Sequence, residues 1–383
     1  MKRDIKNIAK YADNIKTQNP IVEAIYKLNI GFSLSEQESY DAMLSILAIE
    51  DPFERSIFLG IILNGIMSKR PDVDEVVGLL KATLTLDNLN LENIRQIEIA
   101  GEIVIGLAGS GKKGIKSNNI STCASFVAAA AGAFIIKPLS RSTSSLTGSA
   151  DFIEKLGIKL KIDSGETEQI LKTTGLGFFS IEGQIQKFDS LYGGKFHAPH
   201  ALSFALAALV LPIKPNLMFF GLSHPAVSTS VKVLDKFGYK NSFVVASTDN
   251  GLHYIDEVAV FGTTYVCGNR NGKVGKINCI QPANELNLPR YSREDIKPGE
   301  NIEENILLGL KVLQGIGDRA REDMVCVNSG TILYLAGKVK NLNDGYLLSK
   351  NIIKEGKAME KVRQLIVETG GDLDTLKKMI DHA

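Results

Sequence analysis

The sequence is short of cysteine, of net charge and of long apolar runs, and each shortage removes a class of protein. Its four cysteines, Cys123, Cys267, Cys279 and Cys326, show no C-x-x-C spacing. Neither a zinc cluster nor a disulfide framework is therefore expected, and a reducing cytoplasm suits them best. The formal net charge is +1 over 383 residues. With no global field, neither nucleic acid nor a membrane surface is expected as the main partner, and any anion site has to be local. The longest apolar stretches, around Ser125–Ile136 and Ala201–Pro212, are too short to span a bilayer, and the opening MKRDIKNIAKYADNIK has charges but no apolar segment behind it. The expectation is a soluble, unexported chain.

What is present is an ordinary soluble composition, 44% hydrophobic and 23% charged, with length for one large domain and a smaller one. Up to about residue 97 the apolar residues recur at helical spacing, as in Tyr40, Met43, Leu44 and Leu47, and again in Ile57, Leu59, Ile61, Ile62 and Ile66. Ser35 followed by Glu38 is a capping-box pair, and Pro71 with Asp72 and Asp74 opens a further helix running toward Leu84. After Ile97 the texture changes. EIVIGLAGSGKKG is a short β-type run ending in a glycine-rich turn, and ASFVAAAAGAFII is a buried helix leading into a strand. Strand-like runs return at Ser242–Ala246 and Glu257–Phe261, with a helical segment at Pro225–Phe237, and the chain is helical again from Asn301. Strands alternating with helices predict a central sheet covered by helices.

Three segments could build an anion site. Gly106-Leu107-Ala108-Gly109-Ser110-Gly111 follows a strand directly, where small residues let backbone N–H groups approach phosphate oxygens; alone it is equally a tight strand-to-helix connection. It nearly matches G-x-x-x-x-G-K-[ST], but Lys113 stands where a hydroxyl should reach magnesium, and Gly114 with Asn118-Asn119 would interrupt the helix that loop requires. Asn119-Ile120-Ser121-Thr122 opens the next apolar helix, where an anion gains from unpaired N–H groups, unless Ser121 or Thr122 is a plain cap. Lys137-Pro138-Leu139-Ser140-Arg141-Ser142-Thr143-Ser144-Ser145, followed by Gly148-Ser149-Ala150-Asp151, sets two cations and many hydroxyls just beyond a buried strand. A solvated Ser/Thr-rich loop is the plainer account of that run, and Asp256-Glu257, in HYIDEVAV, is by itself ordinary surface charge.

Taken in order, these segments resemble the anthranilate phosphoribosyltransferases. LSEQESYDAML near the start, and LNLPRYSREDI and LLGLKVLQGIGDRAREDMVCVNSGTILYLAGKV further on, extend the likeness from about residue 20 to the end. The resemblance implies that Gly106, Gly109, Ser110, Asn119, Ser121, Thr122, Lys137, Arg141, Ser144, Ser145 and Ser149 hold phosphoribosyl diphosphate, with Lys137 and Arg141 as the catalytic cations. It also implies that Asp256, Glu257 and Ser121 hold Mg2+, in keeping with the ion's preference for a few carboxylates plus substrate phosphates. The fold it implies is α/β: a small all-helical domain, residues 1–97 with a returning segment near 175–205, beside a large domain, 98–383, with a mostly parallel central sheet of the nucleoside phosphorylase/phosphoribosyltransferase type. A homodimer through the helical domain belongs to the same expectation.

The likeness breaks at the acceptor. The family's Lys-His-Gly-Asn-Arg is here Lys137-Pro138-Leu139-Ser140-Arg141, and the arginine expected to grip the acceptor carboxylate aligns with Lys195, a second with Ala201. Lysine supplies a point charge without the two-pronged carboxylate contact. Ser140, Lys195, His197 and His200 are the candidate acceptor contacts, and the turn before Asn119 has gained Lys112, Lys113 and Lys116. Three functions stay open: phosphoribosyl transfer to an aromatic or heteroaromatic acceptor other than anthranilate, through a C–N or C–C bond; transfer to anthranilate; and nucleic-acid binding without catalysis. The retained Ser121, Arg141, Asp256 and Glu257 favour a working donor site, and the Asp256-Glu257 pair suits a diphosphate donor better than nucleoside phosphorolysis.

Overall fold

The computed structural model of the chain describes residues 19–142, 147–160, 164–194 and 196–382. It opens with four helices, α1 (Pro20–Asn29), α2 (Glu36–Leu47), α3 (Pro52–Ser68) and α4 (Val73–Leu86). Each is started by a side-chain cap: Asn19, Ser35, Asp51 and Asp72 accept from the first-turn backbone, satisfying N–H groups that the helix itself cannot. Ser35 with Glu38 and Asp72 with Glu75 complete capping boxes.

The sheet is built from β1 (Val104–Gly109), β2 (Phe134–Leu139), β3 (Leu176–Ser180), β4 (Leu217–Gly221), β5 (Ser242–Thr248), β6 (Thr263–Arg270), β7 (Lys273–Val274) and β8 (Asn278–Ile280). Their order is β3-β2-β1-β4-β5-β6-β7, with β8 also on β6. The first five are parallel, and β6 turns back antiparallel on β5. Between them lie α5 (Ile120–Ala130), α6 (Ser149–Lys155), α7 (Ser164–Thr174), α8 (Ile181–Gln184), α9 (Gln186–Tyr192), α10 (Leu206–Leu209) and α11 (Val227–Lys236). After the short α12 (Pro282–Glu285), helices α13 (Ile302–Gln314), α14 (Arg319–Leu335), α15 (Leu342–Lys354), α16 (Lys357–Thr369) and α17 (Leu373–Asp381) close the chain.

Strand residues alternate between two cores, as the two-residue period of a strand requires. Ile105 and Leu107 of β1, Phe219 of β4 and Val245 of β5 join α5, α6, α13, α14 and α16 on one face. Val104, Ala108, Met218, Phe220, Val244 and Ala246 join α1 to α4, α11 and the segment from Ile185 to Ile213 on the other. No described helix is long and apolar enough to cross a membrane.

One sequence expectation fails here. Glu257–Phe261 is not a strand but a buried, irregular stretch. Side chains take the place of a neighbouring strand: Asn328 Oδ1 accepts from Val258 N–H (3.0 Å), Asn328 Nδ2 donates to the Val258 carbonyl (2.8 Å), and Ser247 Oγ donates to the Glu257 carbonyl (2.6 Å). The apolar run reads like a strand because it is buried, while its backbone is satisfied from elsewhere.

Candidate active site

In the order β3-β2-β1-β4-β5 the chain reverses its direction of travel between β1 and β4, so the carboxyl ends of those strands frame the crevice where ligands bind in open α/β sheets. Gly109 and Gly221, paired across this seam, end the two strands. A Cβ on Gly109 would lie 2.6 Å from Asp256 Oδ2, and one on Gly221 only 1.8 Å from the Asp256 carbonyl oxygen. The two glycines therefore make the room in which Asp256 sits. Gly106 is placed elsewhere: it lies within β1, against Pro215 and Met218, and takes no part in the crevice. The strand runs three residues beyond it, so the turn at the site begins at Ser110.

That turn is held to β4. Ser110 N–H donates to the Gly221 carbonyl (2.8 Å), and Ser110 Oγ accepts from Ser223 N–H (2.8 Å). Gly111 N–H then donates to Asp256 Oδ2 (3.0 Å). Asp256 and Glu257 are 7% and 2% exposed. Lys113 Nζ lies 3.0 Å from Asp256 Oδ1 and 3.0 Å from Glu257 Oε1. Ser117 Oγ donates to Glu257 Oε2 (3.2 Å), and Ser121 N–H to Glu257 Oε1 (3.3 Å). Burial pushes the Lys113 ammonium down, but the two carboxylates outweigh it and hold it above the usual lysine range.

Helix α5 points its N-terminus at the same place. Asn119, at the capping position with φ +34°, makes no side-chain cap bond. Asn119 Nδ2 and Thr122 Oγ1 are buried without hydrogen-bond partners, unmatched polar atoms at the positive end of a helix dipole. Lys137, on β2 and 4% exposed, donates to Ser121 Oγ (3.2 Å). Burial, reinforced by the Lys113 charge and partly offset by Glu257 and Asp256, brings its ammonium down to about 8. Pro138 follows it where β2 has run past its pairing with β1 and pairs only with β3, so its missing N–H leaves no bond unmade toward β1.

These groups open onto a cavity of about 240 Å³. Of the residues named from the sequence, Gly109, Ser110, Asn119, Ser121, Thr122, Lys137, Ser140, Arg141, Ser149, Asp256 and Glu257 line it, and Lys113 and Ser117 join them. Arg141 bonds Asp151 (3.1 Å) and Glu154 (2.7 Å) across the mouth. Ser149 Oγ accepts from Ser140 N–H (3.1 Å), closing the loop that carries them. Ser144, Ser145 and Lys195 lie outside the described residues.

The far end is apolar and aromatic. Ile185, Phe188, Tyr192, Leu202 and Leu206 line it together with His200, Glu182 and Asp189. Phe188, Tyr192 and Phe196 form a parallel stack with ring centroids 5.1 and 5.8 Å apart. His200 Nε2 lies 2.6 Å from Tyr192 Oη, while its Nδ1 is buried without a partner. Burial, with the Lys112 charge, lowers the imidazole to about 3, so the ring is neutral. His197 does not join it; it is exposed on the loop outside the cavity. Glu182 accepts from Arg141 N–H (2.7 Å) and from Ser180 Oγ (3.1 Å). Burial and then the charges of Glu182 and Asp87 raise Asp189. The residues of this end other than His200 went unread because they lie on or between short helical turns, Ile181–Gln184, Gln186–Tyr192, Ala201–Phe204 and Leu206–Leu209, whose spacing carries no motif.

A helix N-terminus with unmatched polar atoms, a buried carboxylate pair and two lysines meet at the switch point of a mostly parallel sheet, and the model of the glycosyl transferase family, a/b domain, matches residues 102–359. Curated relatives carry the distinction further. The anthranilate phosphoribosyltransferase of Shewanella sp. (strain MR-4) is 32% identical over 273 residues, covering 69% of this chain and 74% of its own. That of Pelotomaculum thermopropionicum is 28% identical over 352 residues, 91% and 97% of the two chains. The protein belongs to the anthranilate phosphoribosyltransferase family, and its class is phosphoribosyltransferase. In fold it is similar to the anthranilate phosphoribosyltransferase of Thermus thermophilus (TM-score 0.71, 24% identity, covering 90% of this chain and 99% of that one). It is also similar to the Saccharomyces cerevisiae enzyme in complex with PRPP and Mg (0.71, 18%, 92% and 99%).

Proposed function

We propose that this protein transfers the phosphoribosyl group of magnesium-bound phosphoribosyl diphosphate to an aromatic or heteroaromatic acceptor other than anthranilate, releasing diphosphate. The observation that carries the acceptor reading is the charge of the far end of the cavity. Glu182 and Asp189 stand there with a single lysine among the described residues, Lys112, whose charge acts on His200 and whose Nζ donates to the Gly194 carbonyl, and the one arginine among the described lining residues, Arg141, is engaged with Asp151, Glu154 and its own loop. A benzoate would bring a third carboxylate beside two, with no planar two-pronged partner to receive it. A neutral ring fits the Phe188–Tyr192 wall, with His200 as a neutral polar contact.

The donor end supports the rest of the reading. Asn119, Ser121 and Thr122 offer donors at the head of α5, and Lys137 lies within reach of Ser121; these would take the diphosphate. Asp256, Glu257 and Ser121 would supply the oxygen set that suits Mg2+, and the ammonium of Lys113 between the two carboxylates supports a cation there. The ion, when bound, neutralises part of the leaving diphosphate's charge. As the C1–O bond breaks, C1 becomes cationic and negative charge collects on the leaving oxygen, where Lys137 stabilises it. The acceptor atom then bonds to C1 from the other face and gives up its proton to solvent. Positioning and electrostatics suffice, so no protein nucleophile is needed.

A second reading keeps anthranilate as acceptor, favoured by what the relatives are called. Calorimetric titration with phosphoribosyl diphosphate, with and without magnesium, tests the donor half. Magnesium-dependent binding that is lost in Asp256→Ala/Glu257→Ala is expected, and no binding to intact wild type would sink the transferase reading. Diphosphate release on adding anthranilate then separates the acceptors, turnover giving the second reading. The same proposal takes residues 1–97, with the returning segment near 175–205, as a helical domain through which two copies pair. Sedimentation at twice the 41.6 kDa chain mass is expected, and a monomer would remove that part.

A further inference from the structure

Lys113 stands where a metal ion would be expected to stand, and its position is fixed from several sides. Two successive residues with left-handed backbone, Gly111 at φ +63° and Lys112 at φ +56°, turn the loop back on itself. Gly111 N–H is bound to Asp256, Gly114 N–H to the Tyr254 carbonyl (3.0 Å), and Lys112 Nζ to the Gly194 carbonyl (2.8 Å). The Lys113 ammonium between Asp256 and Glu257 is thus carried by an anchored loop.

Two carboxylates this deeply buried and this close together need a cation, since an unpaired buried charge is costly. A lysine already in place answers that need without metal. A divalent ion approaching the same oxygens meets a fixed positive charge within a few ångström and has to displace it. Diphosphate changes the balance: it brings several negative charges to the head of α5, offers the ammonium other oxygens, and supplies the metal with phosphate ligands.

We propose that Lys113 is a resident counter-cation that keeps the Asp256–Glu257 pair closed to metal until the diphosphate donor arrives, so that magnesium enters with the donor and not before it. This rests on the donor site proposed above and adds an order of binding to it. The loop can stay on its anchors and release only the Lys113 side chain, whose flexible four-carbon stem lets the ammonium reach a phosphate oxygen.

The test is binding of Mn2+ alone, followed by electron paramagnetic resonance of the free ion, to wild type, Lys113→Met and Lys113→Gln, each checked for folding by circular dichroism. Wild type is expected to take up little Mn2+ without donor. Both variants are expected to bind it about tenfold or more tightly, the effect of removing one like charge at contact range. Two variants of different shape guard against one that fails to fold. Stoichiometric Mn2+ uptake by donor-free wild type, or variants that bind the ion no more tightly than wild type, would overturn the proposal. Calorimetry of wild type with donor and magnesium, run alongside, keeps the two ideas apart: donor binding there with unchanged metal affinity in the variants defeats the counter-cation alone, whereas absent donor binding defeats the site itself.

Discussion

A Cβ on Gly221 would stand 1.8 Å from the carbonyl oxygen of Asp256, so the end of β4 is packed directly against the backbone that carries the candidate metal ligand. At Gly109 the nearest atom to an added Cβ is the Asp256 carboxylate oxygen, a side-chain atom that can turn away. The two alanine variants should therefore differ. Gly221→Ala moves backbone and is expected to lower the melting temperature by several degrees, while Gly109→Ala should melt near wild type but lose magnesium-dependent donor binding in calorimetry. Equal effects of the two on stability would contradict this geometry.

Asn328, on α14, holds the stretch that carries the carboxylates through its bonds to both backbone groups of Val258. Asn328→Leu leaves a buried N–H and a buried carbonyl unpaired, for a loss of about 2–6 kcal/mol. Denaturant unfolding measures it, and a loss below about 1 kcal/mol would mean that water or a shifted strand replaces the amide.

His200 sets an acid dependence. Its folded value is about 3, lowered by burial and then by Lys112, against about 6.5 in an unfolded chain. The unfolded state binds the proton first, so the stabilisation is full above about pH 6.5 and is lost as pH falls toward about 3, at up to about 1.4 kcal/mol per pH unit. His200→Phe should flatten the fall in unfolding free energy between about pH 6.5 and about pH 4.5. An unchanged slope would show that another group carries it.

Asp189 is a test of acceptor charge. Asp189→Asn removes one of the two carboxylates at the aromatic end of the cavity and should tighten binding of anthranilate, followed by competition or direct titration, by roughly fivefold, as expected for one screened charge at a few ångström. Weaker binding would mean that Asp189 contacts the amino group of such a ring.

The half of the cavity proposed to take the donor was legible because it is local. Asn119, Ser121 and Thr122 at a helix start, Lys137, Ser140 and Arg141 at and just past the end of β2, and the Asp256-Glu257 pair each keep their chemistry within a few residues, and all line the cavity. The half proposed to take the acceptor was not. Phe188, Tyr192 and His200 meet through ring contacts along a segment of short helices with no period to read, and His197, close in sequence to His200, faces outward.

By itself the sequence determined the helical start with its capping boxes, the α/β alternation and the residues that bring charge and hydroxyls to an anion. Only the tertiary structure decided which of them converge. Gly106 was drawn into β1 because the strand continues to Gly109, and Glu257–Phe261 lost its strand to Asn328 and Ser247, seventy and ten residues away from the groups they bond. Lys113 was set between Asp256 and Glu257, more than 140 residues later in the chain. Backbone satisfaction and charge pairing between distant segments are settled by packing, and no local pattern records them.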